Sequence, residues 1–368
     1  MKKKRILFVG ALPPPVHGSA VVNQQIKSSE LIGELFLCDW VNLSTSRQID
    51  EIGKTTIAKP IRMMGAMTRT LWLLLTHHYD LCYLAITCHG RGFLKDLPFV
   101  LLCKLFRRKI VIHQHNKGMS NYVDRWPYSW LLPICYRNAK VILLSWHLYP
   151  DIEGVVPREN VVICPNGIKT NNGFNGLVRR HEDGIPSLLF LSNLIESKGV
   201  FVLLDALKIL VERGIQFHCT FVGRGSKDIN AKAFFDEVEK RGLTSVVSYD
   251  GPKYGEEKAH ELIDSDIFVF PTIEDCFPLV LLEAMSYSLP IVTTAEGAIP
   301  DEVVDGDNGF LCEKNNPDSL AESIKKLIEN PDLRKWMGEQ GLKRLQEHFT
   351  EEIFEARIRD ILFNLSCS

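Results

Sequence analysis

The stretch FPTIEDCFPLVLLEAMSYSLPIV, residues 270 to 292, decides how the chain reads. It passes from an apolar strand end through a short turn into a segment so apolar that it must lie inside a protein. Two carboxylates, Glu274 and Asp275, stand just before that segment, and Glu283 stands within it. With a helix beginning near Pro278, Glu283 lies about a turn and a half in, on the end that would face a ligand. Acids beside the positive end of a helix dipole stay ionised and accept hydrogen bonds, which suits a site gripping sugar or ribose hydroxyls better than a metal. The competing reading makes Asp275 a plain N-cap and Glu283 a buried acid paired with a lysine.

On either side of this stretch, strand-like runs alternate with helical spacing. SLLFLSNL, FHCTFVGRG, VVSYDG, DIFVFPT and PIVTTAEG are short and apolar, and VFVLLDALKILVERG between the first two has helical periodicity. The N-terminal half repeats the pattern with RILFVG, YDLCYLAI, RKIVIHQH and AKVILLS, and SAVVNQQIKSSELIGEL (residues 19 to 35) predicts a helix capped by Ser19. Such alternation indicates parallel sheets covered on both faces, and 368 residues are enough for two cores. The expected fold is therefore α/β, with two doubly wound Rossmann-like domains facing a central cleft at the carboxyl ends of their strands. The domains expected are 1–170 and 185–345, joined by a polar linker over 171–184 and followed by a helical segment over 346–368.

Ten cysteines are scattered without a CxxC pair, so neither a disulfide framework nor a zinc ribbon is indicated and a reducing cytoplasm fits best. The start MKKKRILFVGALPPP has the basic residues of a signal peptide but too short an apolar run, and no run reaches a membrane span. Net charge is −2, yet residues 1 to 170 hold 22 Lys and Arg against 11 Asp and Glu, and the remainder 21 against 34. A basic N-terminal half suggests an anionic partner: phosphates, or the headgroups of a cytoplasmic leaflet on which the protein would sit peripherally. A merely solvated surface is the plainer reading. No nucleic-acid partner is expected.

Several short elements carry chemistry. GALPPPVHGSA, after the first strand, has glycines that allow close backbone approach and helix-start amides that can meet an anion; it is not the GxGxxG fingerprint of a dinucleotide cofactor. KIVIHQHNKG places His113 and His115 on the same side of an extended strand end, one lining a cleft and one packed, with two interior histidines as the alternative. FLSNLIESKGV sets Asn193, Ser197, Lys198 and Gly199 between strand and helix, where the lysine adds charge to a helix N-terminus suited to a diphosphate. FVGRGS offers Gly223 for close approach by a base or ribose.

Together these residues resemble the retaining, nucleotide-sugar-dependent glycosyltransferases of family 4, which have the GT-B fold. The resemblance runs through the Gly/Pro loop, the first-domain histidine, CPNGI, the KG of the second domain, DCFPLVLLEAM and GAIPDEVVDGDNGFL. It implies that Glu283 holds the donor ribose and that Asp275 contacts the donor sugar. Phe277, Pro278 and Leu279 would present amides to the sugar and diphosphate, and Lys198 would neutralise that diphosphate. Gly18, with Ser19 beside it, would lie near the diphosphate, and His115 near the transferred sugar. Asn193 stands where the family commonly has arginine, and Asp275 where it usually has glutamate. The implied reaction moves a sugar from a nucleotide-sugar co-substrate to a hydroxyl of a glycan or lipid-linked acceptor with retention, with no metal or other cofactor. A nucleotide-sugar epimerase and an inactive nucleotide-sugar-binding subunit are the alternatives.

Overall fold

The computed structural model describes residues 3–15, 17–44, 58–170 and 184–367, so the linker expected over 171–184 lies, apart from Gly184, outside the described residues. The chain divides into two compact units, Met1–Asn166 with Glu351–Ser368, and Gly167–Thr350.

The first unit opens with β1 (Lys4–Gly10), α1 (Gly18–Ser28), α2 (Glu30–Leu35) and β2 (Phe36–Asn42). It continues with α3 (Ala58–Thr76), β3 (Leu81–Ala85), α4 (Gly90–Leu105), β4 (Ile110–His113), α5 (Tyr128–Tyr136), β5 (Ala139–Leu143) and β6 (Val161–Ile163). The strands form one parallel sheet in the order β2-β1-β3-β4-β5-β6. Right-handed crossovers put α3, α4 and α5 on one face, where α3 packs beside α4 and α4 beside α5. On the other face, Ile6, Phe8, Leu81 and Tyr83 alternate along their strands to meet Val22 and Ile26 of α1.

The helix expected over 19–35 is in fact two, because Ser29 takes an extended conformation (φ −65°, ψ 119°) and ends α1. Nor does Ser19 cap it. The ring Nδ1 of His17 accepts from the Ala20 amide at 3.4 Å and from that position closes the helix start.

The second unit runs β7 (Ser187–Leu191), α6 (Val200–Glu212), β8 (His218–Val222), α7 (Ala231–Lys240), β9 (Val247–Tyr249), α8 (Gly255–Ile263) and β10 (Ile267–Phe270). After these come α9 (Leu279–Ser286), β11 (Ile291–Thr294), α10 (Ile299–Glu302), β12 (Gly309–Cys312), α11 (Pro317–Glu329) and α12 (Pro331–His348). Its parallel sheet has the order β12-β11-β10-β7-β8-β9. From β7 the chain winds outward through β8 and β9, then returns to place β10 on the other flank of β7. The strand order therefore reverses between β7 and β10, the position at which doubly wound sheets hold ligands. The last helix, α13 (Glu351–Cys367), belongs to the first unit, where Phe354, Ile358 and Leu362 enter its core. The α/β class with two doubly wound domains is as expected.

Candidate donor site

Across that reversal the loops after β7 and β10 are tied together. Lys198, in the single 3-10 turn Glu196–Lys198, puts its Nζ 2.7 Å from Asp275 Oδ2 and 2.9 Å from the Glu274 carbonyl. The Ser197 carbonyl accepts from the amides of Ile273 (2.8 Å) and Glu274 (3.1 Å), so backbone as well as charge fixes the two loops. Gly199 makes this approach possible. Its φ is +80°, and a Cβ there would stand 2.0 Å from the Pro271 carbonyl oxygen. Lys198 and Asp275, 77 residues apart in sequence, therefore meet as a half-buried ion pair at the strand ends.

Asp275 also bonds the Cys276 amide through Oδ1 at 2.9 Å, closing the turn before α9. Gly297, with φ +55°, lies against this turn, and a Cβ on it would be 2.5 Å from the Asp275 carbonyl oxygen. This contact explains the glycine of GAIPDEVV. Pro278 caps α9 and has no N–H, so of the three residues expected to present amides to a donor only Phe277 and Leu279 can donate. Glu283 follows one turn into α9. Its Oε1 pairs with Lys258 of α8 at 2.7 Å, while Oε2 is buried with no hydrogen-bond partner. A buried carboxylate oxygen without a donor is costly unless something else binds it.

Asn193 and Gly223 lie on the other flank of β7. The Asn193 Oδ1 accepts from the Arg224 amide at 3.3 Å, so its short side chain serves the neighbouring loop. Gly223, φ +152°, is pressed against β7's end, where a Cβ would be 1.8 Å from the Ser192 carbonyl oxygen. Packing alone requires that glycine.

Three features of this region were missed from sequence. Lys258, the partner of Glu283, sits in a separate helix at no telling spacing. Glu302 is fully buried with neither carboxylate oxygen hydrogen-bonded, and burial, reinforced by Asp275 and Asp301, pushes its carboxyl well above the usual range. Burial thus favours the protonated form of an acid close to Asp275. Arg344 braces the same turn from α12 by donating to the carbonyls of Asp301 (2.6 Å) and Glu302 (3.0 Å).

In the first unit, the histidines expected at a strand end are in ring contact, with centroids 4.0 Å apart. His113 is fully buried and its Nδ1 shares a 2.6 Å hydrogen bond with the Tyr83 hydroxyl. Burial lowers its pKa well below the ordinary value, and that of His115 to about 3, His17 adding to the latter effect. His17, also missed from sequence, carries a lowered pKa from burial and from Lys95. Next to it Gly18 is uncrowded, a Cβ there meeting nothing within 4 Å, and the Ser19 hydroxyl lies 3.1 Å from His17 Nδ1.

These imidazoles are neutral in the folded chain at pH 7. Unfolding frees His115 to take a proton near pH 6.5, so its contribution to stability is complete above that value and is lost as pH falls toward about 3. The expected result is a stability that drops on the order of 1 kcal/mol per pH unit between pH 6.5 and 5 through this group. Urea unfolding of wild type and His115→Asn at both pH values checks it: equal slopes would remove His115 as the cause.

Residues 178–344 match the sequence family described as glycosyl transferases group 1. The match covers less than half of the 368 residues. Lys198, Asp275 and Glu283 all fall inside the matched segment. An uncharacterized glycosyltransferase of Methanocaldococcus jannaschii is 31% identical over 230 residues, 62% of this chain and 61% of that protein. The capsular polysaccharide biosynthesis glycosyltransferase CapM of Staphylococcus aureus is 29% identical over 164 residues, 45% of this chain and 42% of that protein. The aligned part thus spans between about two fifths and three fifths of the length of these curated relatives. Among solved structures, Anabaena HepE in complex with UDP superposes with a TM-score of 0.77 at 18% identity, covering 98% of this chain and 100% of that one. The same protein in complex with UDP-glucose gives 0.73 at 17% identity, over 98% and 99%. At such identity the likeness concerns the fold alone, and the fold is GT-B, as the sequence led us to expect.

Proposed function

We propose that the chain is a retaining glycosyltransferase that moves a sugar from a nucleotide-sugar donor to a hydroxyl of a glycan or lipid-linked acceptor, in surface polysaccharide or glycoconjugate synthesis. The observation that carries this reading is the Lys198–Asp275 pair at the strand-order reversal, with the bare Oε2 of Glu283 beyond it on α9. The group 1 family match, the capsular polysaccharide relative and the UDP and UDP-glucose complexes of HepE support it.

In this reading the donor ribose hydroxyls donate to Glu283 and the diphosphate lies against Lys198 and the amides of Phe277 and Leu279. The bond from the anomeric carbon to the diphosphate breaks, and its electron pair leaves with the diphosphate, where Lys198 and the amides balance the developing charge. The acceptor oxygen forms the new bond on the same face, and a departing phosphate oxygen takes its proton. Asp275 holds the donor sugar and orients Lys198. Gly18, Ser19 and His115 are assigned to substrate contact by the first unit, and no step runs through a metal.

Thermal unfolding with a panel of nucleoside diphosphates and nucleotide sugars tests the donor site. One nucleotide should raise the midpoint by several degrees, since ligand at about 100 times its Kd adds about 2.7 kcal/mol. Glu283→Ala should abolish the shift. No shift with any member would sink the donor reading, and conversion of the donor to an epimer without acceptor would replace it by the epimerase.

A further inference from the structure

Three acids are buried among the described residues, and two of the three have partners. Asp96 accepts from the Thr87 amide at 3.0 Å, and Glu296 pairs with Lys314. Glu302, the last residue of α10, is 0% exposed, and neither of its carboxylate oxygens has a hydrogen-bond partner. The donors beside it pass the carboxyl by. Arg344 Nε (3.0 Å) and Asn308 Nδ2 (3.2 Å) both bond the Glu302 main-chain carbonyl, and Arg344 Nη2 bonds that of Asp301 at 2.6 Å. An ionised carboxylate left without a donor inside a protein is far costlier than the neutral acid, so this packing selects the protonated form.

The place of this acid matters because of what it backs. The segment leading into α10 lies on the turn that carries Asp275. There the Ala298 amide donates to the Cys276 carbonyl at 2.8 Å, and Gly297 is so close that a Cβ would stand 2.5 Å from the Asp275 carbonyl oxygen. Three charged groups act on the Glu302 carboxyl: Asp275 from this turn, Asp301 from α10 itself and Arg344 from α12. After burial, the two anions raise its pKa further and Arg344 opposes them. In the Lys198–Asp275 pair one positive and one negative charge offset each other. A second anion behind Asp275 would leave negative charge in excess there and repel a diphosphate.

We propose that Glu302 is a positioning residue of the donor site that serves as a neutral acid: protonated, it supports the Asp275 turn and leaves the Lys198–Asp275 pair balanced for an incoming diphosphate, and ionised it would oppose that group. The proposal deepens the sugar-transfer reading and rests on its donor site. Two measurements on wild type and Glu302→Gln test it. The first is urea unfolding from pH 5 to 8. Between the ordinary carboxyl range and its raised value in the folded chain, Glu302 keeps a proton that the unfolded chain has lost, so its contribution is complete at acid pH and shrinks as pH rises. Glutamine has no such proton, and the difference in urea midpoint should move steadily in the variant's favour across this range. The second is titration with the diphosphates of adenosine, guanosine, cytidine, uridine and thymidine from pH 6 to 9. Toward pH 9, wild type should lose affinity for the tightest of these by about tenfold relative to the variant. If Glu302→Gln unfolds, Glu302→Met, neutral and unbranched, carries both comparisons. A midpoint difference that stays flat or moves in favour of wild type, or affinity profiles that superimpose, overturns this proposal alone. Failure of wild type to bind any of the five nucleotides would sink the donor reading, and this proposal with it, even with the midpoint trend intact.

Discussion

Replacing Lys198 by alanine is expected to slow sugar transfer about 10²- to 10³-fold, the usual cost of removing one preorganised charge or donor from a developing anion. The ammonium is held 2.7 Å from Asp275 and 2.9 Å from the Glu274 carbonyl, so it is in place before the diphosphate acquires its extra charge. Because that charge appears as the bond breaks, the loss should fall mainly on kcat, with KM changed much less. Lys198→Arg keeps the charge but brings a planar fork to a site shaped around a point donor, and should recover only part of the rate. Steady-state kinetics on both variants decide the matter. A loss confined to KM, or one under about tenfold, would make Lys198 a structural partner of Asp275 and nothing more.

The second large effect concerns a residue with no chemistry of its own. Gly199→Ala should destabilise the chain by on the order of 3 kcal/mol and also reduce donor binding. The left-handed backbone at φ +80° is costly for alanine, and the new methyl would stand 2.0 Å from the Pro271 carbonyl oxygen, far inside contact distance. Relief requires the turn after β7 to move away from the end of β10. That movement breaks the bonds from Ile273 and Glu274 to the Ser197 carbonyl and draws Lys198 from Asp275. Urea unfolding and nucleotide titration of the variant measure the two effects. A variant of wild-type stability that also binds donor normally would contradict the close approach described above.

Lys198→Ala and Gly199→Ala bear on what could be read from the residues alone. The two sheets were legible because parallel strands announce themselves as short apolar runs separated by helical spacing, and DCFPLVLLEAM was legible because strand end, turn and helix are contiguous. The meeting of Lys198 with Asp275 depends on strand order, which local pattern does not encode. The bond from Lys258 to Glu283 likewise joins two helices through tertiary packing alone. Ser19 was the obvious cap by residue type, yet His17, one residue outside α1, takes the role because its ring reaches the Ala20 amide. The amide assigned to Pro278 was an error of chemistry, not of pattern. Glu302 was hidden by its neighbours, since an acid beside Asp301 reads as solvated until the helix is seen to turn it inward.

The discontinuity of the first unit bears on how the chain is made. Its core packs Ile6, Phe8 and Val22 against Phe354, Ile358 and Leu362, which leave the ribosome more than 300 residues after them. The unit between Gly167 and Thr350 is continuous and holds all its partners before α13 has been synthesised. Translation order and completion order are therefore opposed: the half begun second can close first, and the half begun first waits with an apolar groove uncovered until its final helix arrives.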